Sequence, residues 1–430
     1  MHKISPEKDT KGDNLFIFTE NTSIRPMLRF LSLKRLAERW QWILLLVTFP
    51  LFLVVACSHK STDNDPGVVP DPVKPPYAWE KFCMGVDLSY VNEVEDFGGI
   101  FRDSGQISDP FRILKKYGAN TVRVRLWYDP QWVGPLTGGK LYSDLADVEK
   151  TIRRAREAGM AVNLDFHYSD TWADPGHQET PAAWAGLALA PLGDSVYNYT
   201  LRVLNYLKEK SLTPQMVQVG NETNGGMLFP AGQVNNGNYA SFASLLSRGI
   251  KAVRDFSASS DIKPKIILHV AQMQNAQWWI DDLVKKGNVS DFDILGISHY
   301  CKWSTMNRFD RITNLISALR SAYGKQVMIV ETAYPWTGGN ADSYSNIFGP
   351  ADTVAGYPAT TAGQLAYYKA LTQAVIAGGG TGIIYWEPAW ITSSMKDKWG
   401  TGSAWDNCTL FDFTGSALPS AGFMRAAYNF

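Results

Sequence analysis

The chain has 430 residues, with 41 Lys and Arg against 41 Asp and Glu. This balance excludes the basic footprint of a nucleic-acid binder and the acidic run of a disordered tail. Hydrophobic residues make up 45%, enough for a large core, and four Cys are too few for a disulfide framework, but 15 Trp, 19 Tyr and 20 Phe exceed ordinary core needs and suggest flat faces offered to a ligand.

Residues 1–56 read as a leader. Positions 42–55 (WILLLVTFPLFLVV) are uncharged and follow Arg35 and Arg39. The run is short of the roughly 20 apolar residues that span a bilayer, so it reads as an export signal. It ends Val54-Val55-Ala56-Cys57, which resembles the bacterial lipobox. That resemblance implies cleavage before Cys57, lipid on Cys57, and an exported lipoprotein at the outer membrane or cell surface that meets the membrane only through its anchor. A plain export signal that contains a Cys is the alternative. Met27 is a more ordinary start for such a leader than Met1. Residues 57–79 are polar and rich in Pro, a flexible linker. With Cys57 lipidated, Cys83, Cys301 and Cys408 allow at most one disulfide, and none is expected.

Residues 80–430 read as one domain. Strands are predicted at 83–88, 121–127, 161–167, 216–220, 265–269, 294–298, 326–331 and 382–386. Amphipathic helices are predicted at 144–158, 195–210, 239–256, 278–286, 311–323 and 361–377, and 186–193 reads as a loop. Trp184, Trp278 and Trp279 read as helix-packing residues. Strands alternating with helices over this length point to an α/β fold, a (β/α)8 TIM barrel with a single catalytic domain at 80–430. A doubly wound open sheet would show a Gly-rich turn after the first strand, and Val86-Asp87-Leu88-Ser89 is no such turn.

In a barrel the chemistry sits at strand C-terminal ends. Here the fourth strand runs into Asn221-Glu222 and the seventh closes on Glu331. Carboxylates ending apolar strands are costly unless paired. Two Glu salt-bridged to strand Arg residues would satisfy that; so would the acid and nucleophile of a glycosidase. In 121–127 (TVRVRLW), alternation puts Arg123, Arg125 and Trp127 on one face, with the apolar residues toward the helices. An inward Arg beside Glu331 would keep it ionised, while Glu222, less well paired, could hold a proton. Asp165 and His167 share a face of the third strand.

Asn221-Glu222, Glu331 and Trp386, at the ends of strands four, seven and eight, resemble the retaining glycosidases of clan A. Within that clan, positions 120–130 (NTVRVRLWYDP), 165–175 (DFHYSDTWADP), 385–390 (YWEPAW), 405–407 (WDN) and 410–413 (LFDF) resemble the endo-β-1,4-galactanases of glycoside hydrolase family 53. The resemblance implies Glu222 as acid/base, Glu331 as nucleophile and Asn221 at the sugar 2-hydroxyl. It implies as substrate pectic β-1,4-galactan or galacto-oligosaccharides, acted on by a monomer with no organic cofactor. Trp172, Trp336 and Trp386 are candidate sugar platforms, since the apolar face of galactose packs on indole. Positions 298–301 (SHYC) replace the family's usual Ser-Tyr-Tyr-Pro, so a wall carrying His299 would differ while Tyr300 could still bond the nucleophile. By resemblance a structural calcium could be held by Asn340, Asp342, Tyr344 and Asn346, with Ser403 or Asp406; a polar turn cluster is the alternative. The rivals are the same chemistry on mannan or glucan, a glycan-capturing surface protein without catalysis, and a metal-dependent hydrolase. Neither HxH on the first strand nor HExxH occurs to support the last.

Overall fold

The computed structural model describes residues 78–430; the leader, Cys57 and the linker up to 77 lie outside the described residues. Eight strands form a closed parallel barrel: β1 (Cys83–Asp87), β2 (Thr121–Leu126), β3 (Ala161–Phe166), β4 (Met216–Val219), β5 (Lys265–Ala271), β6 (Ile294–Ser298), β7 (Gln326–Glu331) and β8 (Gly382–Tyr385). Each pairs with the next, and β8 closes onto β1 through Cys83–Gly382 and its neighbours. The connecting helices are α1 (Pro110–Lys116), α2 (Leu145–Glu157), α3 (Leu189–Glu209), α4 (Ala240–Ala258), α5 (Met273–Lys285), α6 (Phe309–Tyr323) and α7 (Thr361–Ala377), and a 3-10 segment, Pro419–Arg425, follows β8. This is the predicted barrel.

The predicted strands match to within two residues, but helix starts differ. Helix α3 begins six residues before the predicted 195, so 189–193 is helical rather than loop. Pro191 obscured this, yet in a first turn its missing N–H forfeits no hydrogen bond. Helix α5 begins at Met273, not 278. The short α1 was not predicted; Asp109 caps it by accepting from the backbone N–H groups of Phe111 and Arg112, with Pro110 in its first turn.

Alternation along the strands divides the residues as their polarity requires. Val122, Val124 and Leu126 of β2 join the apolar layer between sheet and helices. Inside, Cys83, Met216, Ile267, Ile294, Met328, Val330 and Ile384 form a separate apolar plug, with Trp79 packed against it. Above this plug the lining turns polar: Asp87, Arg123, Asp165, Gln218, His269 and Ser298 are all buried. Cys83, Cys301 and Cys408 are buried free thiols.

One irregularity decides the site. Strict alternation from Met328 and Val330, which face inward, would send Glu331 outward. Between β6 and β7 the register slips: Ile297 pairs with Ile329, but Ser298 pairs with Glu331. Val330 is thus an extra residue, a β-bulge that re-aims the next side chain. Gly296 leaves room for it, since a Cβ there would lie 3.0 Å from Val330.

Candidate active site

The C-terminal ends of the strands open into a cleft of about 670 Å³. Glu222 and Glu331 both line it, with Asn221, Arg123, Arg125, His167, Trp172, Tyr300 and Trp386.

Glu331 is held from both sides. Its Oε1 lies 2.7 Å from Nη2 of Arg123, and its Oε2 accepts from the Tyr300 hydroxyl at 2.8 Å. Arg123 is buried and also reaches Asp87 at 2.6 Å, Asp165 at 2.7 Å and Asn221 Oδ1 at 2.8 Å. One guanidinium thus orients the nucleophile candidate, the Asn221 amide and two supporting carboxylates. A buried Arg is tolerated only with such partners.

Glu222 is placed differently. Beyond β4 the chain takes left-handed conformations at Gly220 (φ 83°) and Glu222 (φ 45°). The second is uncommon for a residue with a Cβ and is the kind of strain found at functional sites. It is held by the Glu222 N–H, which donates to Nδ1 of His269 at 3.2 Å, and by the Thr223 N–H on the His269 carbonyl. The Glu222 carboxylate has one neutral donor, the Ser298 hydroxyl at 2.6 Å. That hydroxyl in turn lies 2.8 Å from Nε2 of His269. Burial keeps His269 neutral, so its Nε2–H donates to Ser298 and its Nδ1 lone pair receives N–H groups.

These surroundings separate the two carboxyls. Burial, reinforced by the charge of Glu331, pushes Glu222 up to about 8, against the weaker pull of Ser298. Burial raises Glu331 too, but Arg123 and the Tyr300 hydroxyl oppose it. A proton shared by the pair therefore rests on Glu222.

The aromatic wall is built from the loops after β8 (Trp386, Trp405), β1 (Tyr90) and β3 (Trp172). Trp386 packs edge-on against Trp405 at 4.7 Å and lies 6.0 Å from Trp172. Arg125 does not reach Glu331; it pairs with Glu387 at 2.7 Å and stacks between the rings of Tyr90 at 4.1 Å and Trp172 at 4.2 Å. His167 accepts from the Ala173 N–H on Nδ1 and gives Nε2–H to Asp165 at 3.1 Å, so it is neutral and rigid. Asp165 is fully buried behind Arg123 and outside the cleft lining.

A family model described as glycosyl hydrolase family 53 matches residues 83–424. An arabinogalactan endo-beta-1,4-galactanase of Cellvibrio japonicus (strain Ueda107) is 44% identical over 352 residues, covering 81% of this chain and 91% of its own. Among solved structures, the Ignisphaera aggregans GH53 catalytic domain superposes with a TM-score of 0.74 at 36% identity, covering 83% of this chain and 98% of its own. A fungal beta-1,4-galactanase gives 0.69 at 32%, covering 80% and 100%. This chain belongs to glycosyl hydrolase family 53.

Besides Asp165, two further predicted residues of this family 53 chain lie outside the cleft lining. Trp336 packs on Phe413 at 4.8 Å and donates its ring N–H to the Asp406 carbonyl. His299 is buried, with neither ring nitrogen hydrogen-bonded among the described residues, and burial lowers it to about 4. It follows the inward Ser298 and so faces the other way, behind the wall rather than on it.

The four residues predicted around calcium do not converge. Asn340 donates to the Tyr344 carbonyl at 2.8 Å, and the Tyr344 hydroxyl donates to Asp397 at 2.8 Å. Asp342 and Asn346 instead meet Asp406: Asn346 donates to Asp406 Oδ1 at 2.7 Å, while Oδ2 of Asp342 and of Asp406 lie 2.7 and 2.9 Å from the Thr392 hydroxyl. That hydroxyl has one proton for two carboxylate oxygens, and Oδ1 of Asn346 is buried without a hydrogen bond among the described residues. The donor set is oxygen throughout, which suits calcium. No group of three or more His, Cys, Asp or Glu side chains disposed to hold a metal occurs among the described residues.

Sequence reasoning did not single out Asp87, Gln218, Ser298 or Glu387 as site residues. Asp87 and Glu387 carried a usable signal: each is a carboxylate at or just past the end of an apolar strand, as Glu222 and Glu331 are.

Proposed function

We propose that this chain hydrolyses the β-1,4-galactosidic bonds of pectic galactan and arabinogalactan side chains with net retention. The observation that carries the reading is the asymmetry of the pair: Glu331 clamped by Arg123 and Tyr300, Glu222 held by a neutral hydroxyl in the same cleft. In the first step the Glu331 carboxylate attacks the anomeric carbon as Glu222 gives its proton to the departing glycosidic oxygen. In the second, Glu222 takes a proton from water, the water oxygen bonds the anomeric carbon, and the bond to Glu331 breaks, restoring both groups. Asn221 is fixed by Arg123 and by its own amide on the Ala173 carbonyl at 2.7 Å, which supports a role at the 2-hydroxyl of the reacting sugar. Trp386 and Trp172 supply the flat apolar surface that a galactose ring requires.

Galactan is favoured over mannan or glucan by the family and by the relatives' names. Both carboxylates are present and oppositely poised, which favours catalysis over glycan capture alone. Hydrolysis assayed on galactan, mannan and β-glucan tests the reading: reducing sugar should appear from galactan, and preference for another polymer would overturn the substrate assignment. We extend the proposal to an export anchor at Cys57, monomeric action, and a structural calcium held by Asp342, Asp406 and Asn346, a role that would tie the loop after β7 to the loop after β8.

A further inference from the structure

We propose that Trp278, fixed by Asn275, is an outlying sugar platform that binds a galactosyl residue of a long chain beyond the cleft, on its leaving-group side. The inference rests on the galactan reading and adds a site to it. The sequence suggests that Trp278 and Trp279 both pack a helix. The structure separates them: Trp279 is buried and donates its ring N–H to the Thr223 carbonyl at 3.0 Å, whereas Trp278 is 44% exposed.

Three observations tie this exposed indole, or the helix start that carries it, to the cleft. Trp278 gives its Nε1–H to Oδ1 of Asn275 at 3.1 Å, and Asn275 lines the cleft while its Nδ2 donates to the Ala271 carbonyl at 2.8 Å. The ring is therefore anchored to the cleft wall, so ordering it for a ligand requires little further loss of freedom. Next, Gln272, where β5 turns into α5, has φ 67° although it carries a Cβ. Its N–H donates to the Ser298 carbonyl at 2.9 Å and its Oε1 accepts from the Tyr300 N–H at 3.3 Å. Backbone strain thus places the start of α5 against the residues that hold both carboxylates. Finally, Gln274 donates to the carbonyl of Trp303, another exposed indole, which lines the cleft.

The chemistry of this edge suits a neutral sugar. Gln272 and Asn275 line this edge with amides whose N–H groups can donate to hydroxyls, while Trp278 offers an apolar face. Asn224 shares the loop after β4 with Glu222, the proton donor to the leaving oxygen. A chain departing on that side runs along the loops after β4 and β5 toward Trp278. The platform would favour attack within long chains over attack on short ones.

The test compares W278A and W278F by affinity electrophoresis in galactan gels, in a catalytically silent E331Q background, and by kcat/KM on galactan and on a galactose trisaccharide. A stacked ring contributes enough that W278A should be retarded roughly three- to tenfold less by galactan. W278F, which keeps a flat ring and serves as the folding control, should lie near the parent. In the active enzyme the W278A loss on polymer should exceed its loss on the trisaccharide by about threefold or more. Equal losses on the two substrates, or W278A retarded like its parent, would overturn the platform alone. If the E331Q parent itself is not retarded, the galactan reading fails and takes the platform with it.

Discussion

Replacing Tyr300 by Phe tests the ionisation of Glu331. The hydroxyl donates to Oε2 of Glu331 at 2.8 Å, and burial keeps that phenol protonated well beyond its usual range. Its ring packs edge-on against Trp303 at 5.3 Å and Trp405 at 6.1 Å, contacts that Phe retains. What Y300F removes is one hydrogen bond to a buried carboxylate, worth about 1.5–3 kcal/mol. At about 1.4 kcal/mol per decade this is roughly a 10- to 150-fold effect on the fraction of enzyme with Glu331 bare. Loss of a donor to the ionised form raises the pKa of Glu331, so the acid limb of the pH profile moves to higher pH and the full loss appears on the acid side. The assay is kcat/KM on galactan for both proteins from acid to mildly alkaline pH. A uniform loss with the acid limb unmoved would refute the reasoning, because Tyr300 would then act on something other than that charge.

Three further outcomes are expected. Glu222, raised to about 8, must keep its proton to act, so wild-type activity should fall as pH rises through that region; S298A removes the donor to its ionised form and should move the basic limb higher still. Exhaustive chelation should leave the chemistry at Glu222 and Glu331 operative but lower the melting temperature, with added calcium restoring it; a thermal scan indifferent to both treatments would remove the ion from the account. C57S should release the protein from the membrane fraction and abolish incorporation of labelled fatty acid in a bacterial host, and unchanged partition would leave an ordinary export signal.

Much of the fold was legible because barrel strands carry their own signal. In β2, for example, TVRVRL shows by alternation which residues face the helices and which the interior. Helix starts were less legible: Pro191 and Gly193 look like loop residues, yet both are accommodated in the first turns of α3. The two Glu stood out as carboxylates at the ends of apolar strands. The bulge at Val330, without which Glu331 would point outward, depends on register against β6, which a single strand does not display. The division of labour between Arg123 and Arg125 was hidden for a similar reason. Both face inward, and only the closed barrel determines that one meets Glu331 while the other meets Glu387. Trp336 shows the converse, since Phe413 and Asp406, distant in sequence, direct it away from the cleft, whereas His299 is turned away by alternation after Ser298.

The central claim is that Glu331 carries the sugar between two displacements. Incubation with a 2-deoxy-2-fluoro galactosyl donor bearing a good leaving group, followed by peptide mapping, tests it most directly. The account predicts a single fluorogalactosyl adduct on the peptide containing Glu331, released on transfer to an acceptor sugar. An adduct on Glu222 or on a peptide remote from the cleft would contradict it.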